Sequence, residues 1–204
     1  MKKILVTAML CCGVISGFAQ SRDGIRLGVT GGMNVSNITD MNADCRIGFN
    51  AGLRAEVGIM NNFYFGTGFL VSQKGYKYDS EIKGISAEVK GNPLYLQIPL
   101  QFGYAHDLGN TVGLFAETGP YLAFGVAGKH KVEGSGFGTN VESKVDFFGD
   151  DGLDAKVFDA GWAVRAGVEV SNFQIHLGYE YGFTKVFEDG GHNSNFNVGV
   201  SYFF

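Results

Sequence analysis

The chain has 204 residues, with 16 Lys+Arg against 20 Asp+Glu and a net charge of −4. That mild acidity excludes a nucleic-acid binder working through a basic face. Glycine accounts for 32 residues and proline for only 3, and no G-X-Y period appears, so collagen-like and disordered classes both fail. No apolar run reaches the ~18–20 residues of a membrane-spanning helix, which leaves strands as the route into a bilayer.

In chain order the first feature is a leader. Lys2 and Lys3 precede an apolar stretch from Ile4 to Ile15, and Gly17-Phe18-Ala19 places small residues at the two positions a signal peptidase reads. Residues 1–19 are expected to be a secretory signal peptide cleaved after Ala19, with 20–204 as one folded domain. The stretch is short for an anchor helix, and Leu10 before Cys11 is not the small residue a lipoprotein signal uses. Cleavage leaves 14 basic residues against 20 acidic, a net charge of −6, and a lone Cys45 with no partner for an internal disulfide.

The mature chain shows no helical stripe. It shows period-two alternation, the mark of strands with two different faces. The first strand is expected at about 25–34, with Leu27, Val29 and Met33 opposite Arg26, Gly28 and Thr30. The second, 47–59, alternates Ile47, Phe49, Ala51, Leu53, Ala55, Val57 and Ile59 with glycine, Asn50, Arg54 and Glu56. A third runs 63–74, a fourth 93–105 and a fifth 112–126, the last with Leu114, Leu122 and Phe124 opposite Phe115, Glu117 and Tyr121. The sixth, 158–170, sets Trp162, Val164 and Val168 against Asp159, Arg165 and Glu169; the seventh, 173–184, sets Ile175, Leu177 and Tyr179 against Gln174, His176 and Glu180. The eighth, 195–204, ends on alternating Phe196, Val198, Val200, Tyr202 and Phe204.

The apolar faces of these strands carry no charged residue. The opposite faces carry nine: Arg26, Arg54, Glu56, Lys74, Glu117, Asp159, Arg165, Glu169 and Glu180. A soluble barrel would put the apolar face inside; here the glycines decide otherwise. Sixteen lie on the charged face and only Gly31 on the apolar one. An eight-stranded barrel is just wide enough for side chains to fill, so missing side chains make room inside for Arg, Glu and Tyr. The expectation is an all-β, eight-stranded antiparallel up-and-down transmembrane barrel with a polar filled interior. Its apolar face meets lipid, where a charge near the midplane would cost ~2–4 kcal/mol, and closure satisfies every backbone polar group without water.

Connections after the even strands are short, at 60–62, 106–111 and 171–172, and those after the odd strands are long, at about 34–46, 75–92, 127–157 and 186–194. This rhythm matches periplasmic turns and external loops. Pro99 and Pro120 fall in strand interiors, where local bulges are expected. The aromatic last strand resembles the signal read by the outer-membrane barrel assembly machinery, a partner during biogenesis.

Three stretches, Gly28-Val29-Thr30-Gly31-Gly32-Met33-Asn34-Val35-Ser36-Asn37, Tyr95-Leu96-Gln97-Ile98-Pro99-Leu100-Gln101 and Glu117-Thr118-Gly119-Pro120-Tyr121-Leu122, resemble motifs of the PorT-like outer-membrane β-barrel family of Bacteroidota. Tyr179-Glu180-Tyr181-Gly182-Phe183-Thr184 is similar to that family's penultimate strand. The resemblance implies an outer-membrane barrel of a Gram-negative cell envelope and little about activity; a role in protein secretion belongs to one named member and is not carried over.

The enclosed set Arg26, Arg54, Glu56, Glu117, Asp159, Arg165, Glu169, His176 and Glu180, with Lys74, reads as a structural salt-bridged filling, because four basic and five acidic residues nearly cancel. A narrow ion path or a secretion or assembly component is the alternative. A lipid-modifying enzyme is a further one, but no histidine lies on the lipid-facing set, and His176 and Glu180 stand ~13 Å apart along their strand. No catalytic residue, cofactor or metal site is expected; Asp150-Asp151-Gly152-Leu153-Asp154 is not an EF-hand loop. The expected role is structural or surface-interacting, through loops 75–92 and 128–157. Lys129, Lys131, Lys144 and Lys156 could meet lipopolysaccharide phosphates there, and Tyr76, Tyr78, Phe137, Phe147 and Phe148 give the loops aromatic tips suited to contact.

Overall fold

The structure is a computed structural model that describes residues 24–39, 44–82, 85–109, 111–136, 139–148, 155–187 and 190–204. The expected signal peptide, Phe137 and the acidic residues Asp150, Asp151 and Asp154 lie outside them. The described chain is all strand: β1 (Ile25–Ile38), β2 (Asp44–Met60), β3 (Phe63–Gln73), β4 (Tyr76–Ile82), β5 (Ile85–Gly91), β6 (Leu94–Asp107), β7 (Val112–Ala127), β8 (Lys129–Gly136), β9 (Thr139–Asp146), β10 (Phe158–Val170), β11 (Phe173–Phe187) and β12 (Gly190–Phe203).

Eight of these form a closed antiparallel barrel in the order β1-β12-β11-β10-β7-β6-β3-β2, with β2 returning to β1. Closure is well registered: Gly28 faces Phe203 and Ile38 faces Asn193 on one side, while Arg26 faces Glu56 and Ser36 faces Arg46 on the other. One end is finished by tight turns. Asn61 and Ser171 adopt left-handed φ values of 51° and 54° there, as two-residue hairpin connections require. The chain terminus is tied to the same end, where Phe203 N–H donates to Asn172 O (2.9 Å) and Asn172 Nδ2 to Phe203 O (2.8 Å).

The two faces separate as alternation demands. Leu53, Val164, Leu177 and Val200 point outward and are exposed, while Arg54, Glu117, Arg165 and Gln174 point inward and are buried. Tight curvature explains the inner glycines. A Cβ on Gly52 would collide with the Phe69 carbonyl across the ladder, and one on Gly103 would enter the Tyr64 ring.

Two expectations are corrected. The connections 75–92 and 127–157 are not plain loops. They contain the hairpins β4–β5 and β8–β9, which pair with each other through β5 and β8 into a sheet ordered β4-β5-β8-β9 above the end opposite the turns. The barrel strands also run further, β1 to Ile38 and β11 to Phe187. The second correction concerns the prolines. Pairing skips from Pro99↔Tyr121 to Phe102↔Thr118 between β6 and β7, and from Thr67↔Leu100 to Leu70↔Gln97 between β3 and β6, with the same register on both sides of each gap. Each proline removes an N–H and hence a rung, but no residue is inserted. The register shifts lie elsewhere, at Gly58/Met60, Leu94/Tyr95 and Tyr181/Lys185.

Candidate functional site: a polar lumen under an aromatic cap

Alternation sends every second residue of eight strands into one narrow tube, so polar side chains there must satisfy one another. They sort into two groups by depth. Toward the turns, Arg26 Nη1 lies 3.5 Å from Glu56 and 3.2 Å from Glu169, with its guanidinium 4.6 Å above the Phe203 ring. Gln174 Nε2 donates to Glu56 (3.1 Å) and Glu169 (2.9 Å), and its Oε1 accepts from Arg165 Nη2 (3.0 Å). Glu117 sits between two cations: Arg54 Nη2 reaches its two oxygens at 2.9 and 3.0 Å, Arg165 Nε stands at 2.6 Å, and Tyr64 donates its hydroxyl at 3.0 Å. Hydrogen bonds in which both partners carry charge are shorter and stronger than neutral ones, so this carboxylate is the most tightly held group of the lumen floor.

Toward the hairpins, Lys74 Nζ stands 3.1 Å from Glu180 and 3.9 Å from Asp159, and 4.4 Å from the Tyr121 ring centroid. Glu180 also accepts from Gln97 Nε2 (2.8 Å) and Asn195 Nδ2 (3.2 Å). Asp159 accepts from Tyr121 (3.1 Å), Asn193 (2.9 Å) and Thr184 (2.5 Å). Beside this group Asn34 bridges three strands: its Nδ2 donates to Phe49 O, Ser72 Oγ and Gln73 O, and its Oδ1 accepts from Asn50. Between the two groups lies a cavity of about 40 Å³, lined by Arg54, Gln97, Arg165, His176 and Glu180 among others.

All nine residues singled out from the sequence therefore point into the lumen. Arg26, Glu56 and Glu169 meet near the turns, Arg54, Glu117 and Arg165 meet above them, and Asp159 and Glu180 meet around Lys74. His176 is buried beside the cavity and makes no hydrogen bond through Nδ1. Neutral amides were missed as site residues: Asn34 and Gln174 each tie several strands together, and Gln97, Asn193 and Asn195 each donate to a lumen carboxylate. Position parity on their strands was the available signal.

The hairpin end is closed by an apolar cluster of Ile38, Tyr76, Phe147, Ala155 and Val186, with Val89, Phe148 and Phe187 packed on it. Phe148 meets Tyr95 edge-on, with centroids 5.7 Å apart, and occupies the space that a side chain at Gly125 would fill. This corrects the reading of aromatic contact tips. Tyr76 and Phe147 are buried, and Phe148 half-buried, because they turn inward to seal the tube; Tyr78 alone of the described set is exposed. Tyr76 OH lies 3.1 Å from His130 Nδ1. Burial pushes the phenol up to about 12 and holds the imidazole below its ordinary value. Lys129 and Lys156 are exposed on this end and Lys131 half-buried. Among the described residues no group of three His, Cys, Asp or Glu could hold a metal ion.

A family model described as "Outer membrane protein beta-barrel domain" matches residues 18–188. Among solved structures, the attachment invasion locus protein Ail of Yersinia pestis is 18% identical, covering 89% of this chain and 99% of its own, with a TM-score of 0.39. Neisserial surface protein A is 12% identical over 89% of this chain and 97% of its own, with a TM-score of 0.44. The translocator domain of autotransporter NalP from Neisseria meningitidis is 10% identical over 100% and 98%, with a TM-score of 0.31. No curated protein matches the chain.

Proposed function

Because the chain belongs to the outer membrane protein beta-barrel domain family and resides in an outer membrane, we propose that it works as a surface-interaction protein, its barrel serving as an anchor and its hairpin sheet as the contacting part. One observation carries this reading: four strands, β4, β5, β8 and β9, rise beyond the wall as a sheet of their own, while the tube beneath them is filled and capped. By the general rule for such barrels, the tight turns face the periplasm and the hairpins the exterior. The finer reading adds a PorT-like barrel of Bacteroidota, an N-terminal signal peptide over 1–19, handling by the barrel assembly machinery, and lipopolysaccharide phosphates near Lys129 and Lys156. It includes no reaction step.

Capture of surface partners by the intact protein, compared with a variant lacking residues 131–144, tests the proposal. That deletion keeps Phe147 and Phe148 and thus the cap. Partner binding is expected to disappear while heat-modifiable migration of the barrel persists; unchanged capture would end the reading. The narrow-channel alternative predicts conductance steps in planar bilayers, and the filled, capped tube predicts none.

A further inference from the structure

The sheet β4-β5-β8-β9 carries its charges in rows. Cross-strand register sets Lys77 beside Lys90, Lys90 beside Lys131 and Lys131 beside Lys144. Two positions further along each strand, on the same face, it sets Asp79 beside Glu88, Glu88 beside Glu133 and Glu133 beside Glu142. The two rows balance along the strands, and Lys77, Lys90 and Lys131 each have a partner. Across the strands each row is like-charged, which weakens a pairing. At its β4 end the lysine row is closed by an opposite charge, Asp44 on β2. At the β9 end both rows stop, and among the described residues nothing pairs with the outer side of β9.

A strand that closes both rows there must offer acid beside Lys144 and base beside Glu142. Asp150, Asp151 and Asp154, outside the described residues, supply acid alone. An open edge is a template for another strand, and this one complements itself. When Val141-Glu142-Ser143-Lys144-Val145 pairs antiparallel with its own copy about Ser143, Glu142 falls beside Lys144 twice and Val141 beside Val145 twice. The smallest slip that keeps the faces aligned is two residues. In one direction it sets Glu142 beside Glu142; in the other it sets Lys144 beside Lys144 and Glu142 beside Asp146. A parallel pair in register would set every charge beside its like.

We propose that β9 is a homotypic docking edge, on which a second copy of this chain adds its own β9 in antiparallel register about Ser143. The contact is isologous, and its twofold axis stands perpendicular to the sheet. The sheet runs on from the wall in one register: Gln73 pairs with Leu94 below and Tyr76 with Gly91 above, with Lys74 N–H donating to Pro93 O (3.1 Å) between them. That axis therefore crosses the barrel axis, so the two barrels point in opposite directions and belong to facing membranes. A single seam of this length is small for a protein interface, and many copies on each surface give the contact its strength. The proposal rests on the surface-interaction reading and names its partner.

Two populations of phospholipid vesicles carrying the full chain test it, one biotinylated and one fluorescent. Streptavidin is expected to capture fluorescent vesicles when both populations carry protein, and not when either is empty. Glu142→Lys in both populations, or Lys144→Glu in both, should reduce capture to the empty-vesicle level. Mixing Glu142→Lys vesicles with Lys144→Glu vesicles should restore it. Position 142 lies beside Glu133 and position 144 beside Lys131, so each reversal relieves a like-charged neighbour across the strands, and heat-modifiable migration should persist. Should either variant fail to fold, the double variant with Glu142→Lys and Lys144→Glu serves: it should capture itself and not the wild type. Absence of capture between wild-type vesicles overturns the proposal, and so does capture that the reversals leave unchanged or that mixing fails to restore. If other partners are lost on deleting residues 131–144 while wild-type vesicles never capture one another, the second copy is rejected and the surface-interaction reading stands.

Discussion

The barrel wall and the sheet above it use the same antiparallel pairing but are held in place by different things. Each wall strand has a neighbour on both sides and two faces that meet different surroundings, lipid outside and a dense ionic network inside. The sheet β4-β5-β8-β9 is open, and among the described residues β9 ends it with no further partner. It joins the wall by two residue pairs between β2 and β4, Asp44↔Lys77 and Cys45↔Tyr76, and by the aromatic cap. Closure therefore makes the wall one cooperative unit, whereas the sheet is free to open locally. Damage inside the tube should unfold everything, and damage above the cap should stay above it.

The sharpest break of that contrast is Glu117→Gln. It leaves Arg54 and Arg165 facing each other without their shared carboxylate, and breaking a buried pair of this kind costs about 3–5 kcal/mol. Urea unfolding from lipid vesicles should show a loss of that order in the whole-barrel transition, and a loss below about 1 kcal/mol would mean the network is not the wall's main internal brace. Next comes the lipid face. Val164, 51% exposed at the middle of β10, should cost ~2–4 kcal/mol when replaced by Arg. Ser143→Arg, at an exposed position of β9, should change stability by less than about 0.5 kcal/mol. Equal costs at the two positions would contradict a lipid boundary between them.

Why the wall was legible and the sheet was not follows from the same difference. Two solvents impose two compositions, so Ile47 to Ile59 or Phe173 to Phe183 announce their period and their orientation at once. The segments Lys129–Gly136 and Thr139–Asp146 also alternate, with Lys129, Lys131 and Glu133 on one parity of the first and Glu142, Lys144 and Asp146 on one parity of the second, but the opposite parities carry glycine, threonine, serine and only the valines Val132, Val141 and Val145 rather than a long apolar row, and nothing in them names β5 as the partner of β8. Within the lumen, parity placed Lys74, Asp159 and Glu180 on the inner face but not at one depth. Their meeting depends on the stagger of β3, β10 and β11 around the tube, which a period cannot supply. Amides such as Gln97 and Asn195 escape a count of charges altogether. Phe147 and Phe148 looked like contact tips because they lie in a long connection; the glycines at 125 and 128 that receive them are informative only once the strands are side by side.

A smaller effect is expected at the cap. Phe147→Ala removes its most central ring and should loosen the hairpins. Limited proteolysis should nick residues 129–146 faster, while the global unfolding midpoint shifts by less than about 1 kcal/mol in equivalent free energy, because opening there is local. Loss of the whole barrel in this variant would show that cap and wall are a single unit after all.

Acidification offers the gentlest probe of the same joint. Tyr76 and His130 touch at the base of the sheet, and burial holds the imidazole below its ordinary 6.5 while raising the phenol to about 12. Near neutral pH both are uncharged, so the phenol can donate to Nδ1. A group whose folded value is depressed by burial favours the closed form only while it stays neutral. Above about 6.5 the closed and opened states bind the same number of protons, and the contact is fully present. Below it the opened state takes up a proton first, so closure weakens until the buried imidazole also titrates. Nicking of the hairpins should therefore accelerate on going from about pH 7.5 to about pH 5.5. His130→Phe, which keeps a ring against Tyr76 without a titrating nitrogen, should flatten that response. If the variant accelerates as much as the wild type, the acid sensitivity belongs to other groups, and the Tyr76–His130 contact is packing alone.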